Sequence, residues 1–178
     1  MVALEPITRA QAPVLRNLFE LYVHDFSEYV PIDLQPNGRF DVRVSDQWWA
    51  RDDHFPFFIR SNGKLSGFAL ARRGSRVSTA SDIMDVAEFF VIRGARRGGV
   101  GAAAALALFS MFPGPWEIRI RRANAGALTF WSRVTASWLG HPVAPRPFSS
   151  DGVEWDLLRL EPLVPQRFDA AAREPAEE

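Results

Sequence analysis

Four glycines near the middle of the chain constrain its fold more than any other sequence feature. They are Gly94, Gly98, Gly99 and Gly101. The apolar segment 83–92 precedes this cluster, and the almost wholly apolar segment 102–112 follows it. The pattern predicts a central strand, a glycine loop and a helix packed on the sheet. Because backbone amides in such a loop lie beside the positive end of a helix dipole, the loop is a general anion-binding site.

Two familiar nucleotide-binding loops do not fit these glycines. A Walker loop needs Gly-Lys-Ser/Thr, and no lysine lies here. A dinucleotide-binding loop follows an N-terminal strand and requires an acidic residue about 20 residues further on. Here the glycines lie mid-chain, and Glu117 belongs to the charged face of a predicted strand. Nucleoside triphosphatase and dinucleotide-binding functions are therefore disfavoured.

The surrounding pattern predicts one mixed α/β domain. Trp116 to Arg121 alternates apolar and charged residues, so 83–121 is typical of a strand–loop–helix–strand unit whose two strands are parallel. The other predicted elements are a strand at 2–7, a helix ending around 24–27, a short helix at 47–50, hairpins within 55–72 and 143–160, and a helix at 124–139. We expect the domain to span residues 1–162 and the tail 163–178 to be mobile.

One spacing in the glycine loop has a close counterpart among known proteins. The stretch contains Arg96-x-x-Gly99-x-Gly101, directly after a predicted strand. Asn124-x-x-Ala127-x-x-Phe130-Trp131 follows the next strand, and Leu65-Ser-Gly67-Phe68 lies earlier in the chain. Together these motifs resemble the GNAT superfamily of acetyl-CoA-dependent N-acetyltransferases. The resemblance implies a three-layer domain with a twisted, mostly antiparallel sheet of six or seven strands. Its parallel pair would be 83–92 and 116–121.

The resemblance also implies a binding site for acetyl-CoA as co-substrate. The pyrophosphate would lie on the backbone amides of the glycine loop, with charge from the neighbouring arginines. The pantetheine arm would pair with the backbone of the preceding strand and pass the second motif. The residues implied are Phe89, Val91, Arg96, Arg97, Gly98, Gly99, Val100, Gly101, Ala102, Asn124 and Phe130.

Glu88 is the first candidate for the catalytic base. It lies on the predicted central strand among apolar neighbours, where burying a carboxylate is costly without a partner or a purpose. Burial would also raise its pKa toward the working range of a base. A structural ion pair with Arg119 on the neighbouring strand is the competing interpretation. Asp85, expected on the opposite face of the strand, is the alternative base.

The general acid and the acceptor site depend on other parts of the chain. Many relatives carry a tyrosine near the thiol, but this chain has Phe130-Trp131 there. The proton would then come from water, Ser132 or a residue of the N-terminal loop. The resemblance places the acceptor against the end of the first helix, which carries polar and aromatic side chains. The candidates for acceptor binding are Tyr22, His24, Asp25 and Tyr29.

Composition limits the remaining functions. The 21 basic and 21 acidic residues cancel, which argues against a nucleic-acid binder using the arginines at 93–97 and 119–122. No cysteine is present and the three histidines are scattered, so no metal site is expected.

The predicted protein is cytoplasmic, monomeric or homodimeric, without a membrane partner, and acetylates a small-molecule or peptide amine. The alternative is a catalytically weak acyl-CoA-binding module with a sensing or protein-partner role.

Overall fold

A computed structural model describes residues 1–40 and 42–161 and contains one seven-stranded sheet. The strands are β1 (Val2–Pro6), β2 (His54–Ser61), β3 (Lys64–Arg73), β4 (Met84–Val91), β5 (Trp116–Arg121), β6 (Arg146–Ser150) and β7 (Val153–Leu160). Their spatial order is β1-β2-β3-β4-β5-β7-β6. Only β4 and β5 are parallel among these neighbouring pairs. The predicted fold class is confirmed.

Within the described residues, four α-helices connect or flank these strands. They are α1 (Ala12–Phe26), α2 (Gln47–Ala50), α3 (Val100–Met111) and α4 (Ala125–Leu139). Helix α3 begins two residues earlier than predicted, because Gly99 ends the loop with a φ of 77° and serves as its N-cap. In the described part of the chain, every helix is too short or too polar to cross a membrane. The predicted tail at 163–178 lies outside the described residues.

The helices cover the two faces of the sheet in a three-layer arrangement. Leu15 and Leu18 of α1 pack with Phe58 and Phe68 of the sheet on one face. On the other face, a larger core joins α3 and α4 to β1, β2, β3, β4, β5 and β7. Its fully buried members include Leu108 and Phe109 of α3 and Trp116 of β5. The four successive alanines of α3 allow its backbone to approach the sheet closely.

A register shift in β4 decides which side chains share a face. Leu70 of β3 pairs with Glu88, whereas the next residue of β3, Ala71, pairs with Val86. Ala87 is therefore an extra residue in β4, a β-bulge. As a result Val86 and Val91, an odd number of residues apart, both face the α3–α4 core. The prediction that Asp85 and Glu88 lie on opposite faces is wrong, because the bulge inverts the alternation between them.

The parallel pair is short, and this opens the sheet. Paired residues run only from Met84 and Trp116 to Val86 and Ile118. Beyond this point β4 continues to Val91 next to β3, while β5 continues next to β7. The carboxyl-terminal halves of β4 and β5 thus separate, and they leave a cleft in the middle of the sheet.

Candidate active site

A cavity of about 580 Å³ lies at this cleft. Its wall combines the end of α1 and the following loop, the end of β4, the glycine loop, and the first turns of α3 and α4. The lining residues are Tyr22, Asp25, Phe26, Glu28, Tyr29, Phe89, Phe90, Val91, Arg93, Arg96, Arg97, Gly99, Gly101, Ala102, Asn124, Gly126, Ala127, Phe130 and Trp131.

The glycine loop brings the N-terminus of α3 to the cavity wall. Arg97 and Gly99 both adopt positive φ angles, 64° and 77°, and turn the backbone sharply into the helix. Amides in the first turn of an α-helix have no partner within the helix, so those of α3 are available at the cavity. Gly101 matters for a different reason: a Cβ atom there would lie 3.2 Å from Cε2 of Phe130, so the ring would have to shift to accommodate it. The loop and α3 form a cradle suited to an anion.

Arginines give this end of the cavity its positive charge. The Nε atom of Arg96 donates to the carbonyl oxygen of Val91 at 2.7 Å. Arg96 also donates to the Asp25 carboxylate, and Arg93 donates to the same carboxylate at 2.9 Å. Burial opposes ionisation of Asp25, but these hydrogen bonds and charges lower the pKa of its carboxyl overall. Asp25 therefore links the end of α1 to the glycine loop.

Aromatic side chains and a capped helix form the opposite wall. Phe89 and Phe130 stack with ring centroids 6.0 Å apart, and Trp131 packs edge-on against Phe89 at 5.0 Å. Asn124 is the N-cap of α4, and its Oδ1 atom accepts a hydrogen bond from the amide of Ala127 at 2.9 Å. The side-chain NH₂ group of Asn124 is not used by this cap.

Glu88 lies behind the cavity wall and is joined to it by Tyr22. The hydroxyl of Tyr22 donates to Oε2 of Glu88 at 2.7 Å. Burial raises the pKa of Glu88, and the hydrogen bond from Tyr22 with the charges of Arg119 and Arg72 only partly offsets that rise. Burial and the neighbouring Glu88 carboxylate also raise the pKa of Tyr22 far above its usual value. The Tyr22 hydroxyl thus stays protonated and orients Glu88.

The structure bears on two earlier expectations for β4: an ion pair between Glu88 and Arg119, and Asp85 as the alternative base. Arg119 does not hydrogen-bond to Glu88 but to Asp85, with both contacts at 3.3 Å. Asp85 is fully buried and also accepts two hydrogen bonds from Arg72, at 2.9 and 2.7 Å. Asp85 is therefore committed to ion pairing and is poorly placed to act as a base.

Most of the residues singled out in the sequence meet at this cavity. Those on its wall are Phe89, Val91, Arg96, Arg97, Gly99, Gly101, Ala102, Asn124 and Phe130, with Tyr22, Asp25 and Tyr29 from the N-terminal region. Gly98 and Val100 lie off the wall, since Gly98 is exposed and Val100 is buried in the core. The His24 side chain is 70% exposed and also lies off the wall.

Sequence reasoning did not assign Phe26, Glu28, Gly126 and Ala127 to the site, although all four line the cavity. The first two belong to the polar and aromatic cluster at the end of α1, so proximity to Tyr22 was an available signal. Gly126 and Ala127 follow Asn124, and small side chains in a first helical turn are a further signal of close approach. Within residues 1–40 and 42–161, no group of acidic or histidine side chains could hold a metal ion.

Known structures share this arrangement of sheet, cleft and helices. An acetyltransferase from Thermus thermophilus superimposes with a TM-score of 0.66 at 15% identity, covering 90% of this chain and 97% of that one. The aminoglycoside acetyltransferase AAC(6')-Ib in complex with coenzyme A gives 0.67 at 11% identity, covering 90% and 95%. A Salmonella typhimurium protein solved with its cofactor acetyl-CoA gives 0.60 at 15% identity, covering 90% and 93%. The fold is thus one that acetyltransferases use.

Sequence comparison gives the family. No curated protein matches the chain. The sequence model of the acetyltransferase (GNAT) family matches residues 15–134, which is more than half of the chain. The chain therefore belongs to the GNAT family of acetyltransferases, as the glycine-loop motif predicted.

Proposed function

We propose that this protein is an N-acetyltransferase that transfers an acetyl group from acetyl-CoA to the amine of a small molecule or a peptide. One observation carries the proposal. One cavity extends from an anion cradle at the N-terminus of α3 to Tyr22, whose hydroxyl holds the half-buried Glu88 carboxylate just behind the wall. Membership of the acetyltransferase family and the cofactor-bound structures of similar fold support acetyl-CoA as the co-substrate.

The residues present fit coenzyme A. The free amides of α3 and the side chains of Arg96 and Arg97 would hold the pyrophosphate, since helix N-termini and guanidinium groups both favour phosphate oxygens. Gly101 leaves the space that a Cβ would fill. The edge of β4 at Phe89 and Val91 has no strand partner on β5. The Val91 carbonyl accepts the hydrogen bond from Arg96, and the other backbone groups of this edge would be available to an extended amide-containing arm. Phe130 and Asn124 would line the same arm.

Bound acetyl-CoA supplies the acetyl thioester, and the chain supplies positioning and proton transfer. Glu88 would accept the proton that the attacking amine loses, directly or through one water molecule. Its raised pKa brings it nearer to the working pH of a base. Tyr22 would hold the carboxylate in place and present one face of the acceptor site.

The acceptor would lie against the end of α1 and the loop after it. Tyr22, Phe26, Glu28 and Tyr29 line this part of the cavity. Asp25, expected to contact the acceptor, is instead paired with Arg93 and Arg96 and would set the position of Arg96 at the pyrophosphate. Tyr29 belongs to the N-terminal loop that was expected to supply a general acid, and its hydroxyl is a candidate donor to the leaving thiolate.

The experiment measures thiol release from acetyl-CoA across a panel of small amines and peptides, with mass spectrometry of each product. An acetylated amine is the expected result. Glu88→Gln should lower turnover by ~100- to 10,000-fold while leaving acetyl-CoA affinity unchanged. Glu117→Gln is the control, because Glu117 is another carboxylate of the sheet, fully buried, that bonds to Ser75 and lies 3.7 Å from Arg159 instead of bonding to Tyr22. Coenzyme A binding without turnover of any amine would instead favour the sensing module, for which no described contact provides support.

A further inference from the structure

The strongest group of charges outside the cavity wall surrounds Asp85. This fully buried side chain of β4 accepts hydrogen bonds from Arg72 of β3 and from Arg119 of β5. The guanidiniums are themselves mostly enclosed, with side chains 18% and 20% exposed. One buried carboxylate thus holds two cations between three neighbouring strands.

Strand register places both arginines beside Glu88. Leu70 lies directly opposite Glu88, and Arg72 lies two residues further along β3 on the same face. Arg119 follows Ile118, the last residue of β5 that pairs with β4, and its side chain faces the same side of the sheet as Arg72. The β-bulge at Ala87 brings Asp85 to this side as well.

Glu88 nevertheless pairs with neither arginine. Its hydrogen bond comes from the Tyr22 hydroxyl of α1 at 2.7 Å. The charged and titratable groups that face it are Tyr22 from α1, Arg72 from β3, Asp85 from β4 and Arg119 from β5. An arginine paired with Glu88 would hold the carboxylate ionised and occupy the oxygens that a base needs.

We propose that Asp85 is a positioning residue that holds Arg72 and Arg119 and so keeps both guanidiniums from pairing with Glu88. Asp85 touches neither acceptor nor cofactor in this role. It acts through the two arginines, and its effect is to leave Glu88 free for proton transfer. The value of this arrangement for catalysis rests on the proposed role of Glu88 as a base. The sequestration, meaning that Asp85 holds both arginines away from Glu88, is a property of the unliganded protein.

A titration of Glu88 tests the sequestration without any acceptor. Carboxyl carbon-13 resonances of the full chain, labelled in glutamate, are followed against pH, and the Glu88 signal is assigned by its loss in Glu88→Gln. Asp85→Asn should lower the Glu88 midpoint by about one to three pH units, the usual effect of a newly paired opposite charge. Glu117→Gln, a matched change in a buried carboxylate bound to Ser75, should leave the midpoint in place.

A double-mutant cycle separates re-pairing from the mere loss of the Asp85 charge. Arg119→Gln should raise the Glu88 midpoint by less than one pH unit when Asp85 is present, but should reverse most of the shift in the Asp85→Asn background. Such non-additivity is the signature of coupled groups. An unchanged midpoint in Asp85→Asn, or an effect of Arg119→Gln that is equal in both backgrounds, would overturn the proposal.

Loss of the Asp85 charge leaves the enclosed guanidiniums of Arg72 and Arg119 unpaired and should destabilise the folded state. If Asp85→Asn does not fold, Arg119→Gln by itself decides the question, since the Arg72–Asp85 pair remains. A rise of less than one pH unit supports sequestration, and a larger rise shows that Arg119 already acts on Glu88. Failure of the acetylation assay would leave this titration unaffected, so the two proposals fail separately.

Discussion

At the scale of single residues, the unusual group is Glu88. Its carboxylate accepts a hydrogen bond from Tyr22, while the neighbouring Arg72 and Arg119 bond to Asp85 instead. The site therefore disfavours the negative charge of Glu88. Such a group contributes less to stability than it would in a salt bridge. Its environment is the kind that active sites provide for a proton acceptor.

The first prediction concerns stability against pH in Glu88→Gln. Because the folded-state pKa of Glu88 is raised above 4.5, the folded protein binds this proton more tightly than the unfolded chain. Wild-type stability therefore falls as pH rises between the two values, by about 1.4 kcal/mol per unit of pKa elevation. Thermal unfolding should show Glu88→Gln more stable than wild type at about pH 7.5 and equal to it near pH 4. A gain that does not change with pH would contradict the prediction.

Asn124 allows a second residue-scale prediction, because its oxygen caps α4 whereas its NH₂ group is not used by the cap. Asn124→Ala removes the cap on the Ala127 amide and should cost about 1 kcal/mol of stability. Asn124→Ser keeps a capping oxygen and should cost less. Both variants lose the NH₂ group, so both should raise the KM for acetyl-CoA more than they lower kcat. A KM change in the alanine variant alone would tie Asn124 to the cap only, whereas equal stability of the two variants would contradict the capping role.

At the scale of elements, the glycine loop and α3 act together. The loop needs left-handed backbone at Gly99, and α3 needs a missing side chain at Gly101, where Phe130 of α4 approaches. These two requirements aim the helix N-terminus at the cleft that β4 and β5 open. The direction of α3 is thus set by the turn at Gly99 and by the packing of Gly101 against Phe130.

Gly101→Leu is the corresponding prediction. Its side chain would fill the cradle beside Phe130 and should abolish coenzyme A binding measured by calorimetry, while circular dichroism stays close to that of wild type. Gly98→Ala is the matched control in the same loop, because a Cβ there meets no atom within 4 Å and the backbone needs no positive φ. Unchanged affinity in Gly101→Leu would place the phosphate site elsewhere.

At the scale of the whole molecule, one core spans the sheet. The larger hydrophobic cluster contains residues of β2, β3, β4, β5 and β7 and of both α3 and α4, with β1 packed against it. Elements on both sides of the open cleft therefore share their buried surface. The cleft interrupts strand pairing at the centre of the sheet, and α3 and α4 pack against strands on both sides of it.

Cooperative unfolding and stabilisation by ligand follow from this shared core. Residues 1–162 should melt in one transition, as one domain would. Coenzyme A at 100 times its dissociation constant should stabilise the folded state by about 2.7 kcal/mol, which raises Tm by about 5–11 °C. Differential scanning calorimetry measures both features, and Gly101→Leu should show no ligand-induced shift. Two separate transitions would show that the cleft divides the molecule into independent units.

Local signals let the sequence by itself determine the strand at 116–121, the hairpin turn at 62–63 and the glycine loop before α3. The period-2 pattern of Trp116–Arg121, the Asn-Gly turn at 62–63 and the spacing of the glycines each act over a few residues, and the structure has a strand, a hairpin turn and a loop there. The order of the strands came from the structure, whereas the family resemblance supplied a mostly antiparallel sheet of six or seven strands and its parallel pair. These features depend on neighbouring residues, so no tertiary information was needed.

Only the tertiary structure decided which charged side chains pair. Tyr22 and Glu88 are 66 residues apart, and Asp25 lies 71 residues from the Arg96 that it binds. Whether Arg119 reaches Glu88 or Asp85 depends on the extra residue at Ala87, which inverts the alternation that the sequence suggests. Long polar side chains on adjacent strands have several partners within reach, and strand register selects among them. That register is set by packing of the whole sheet, which no local pattern contains.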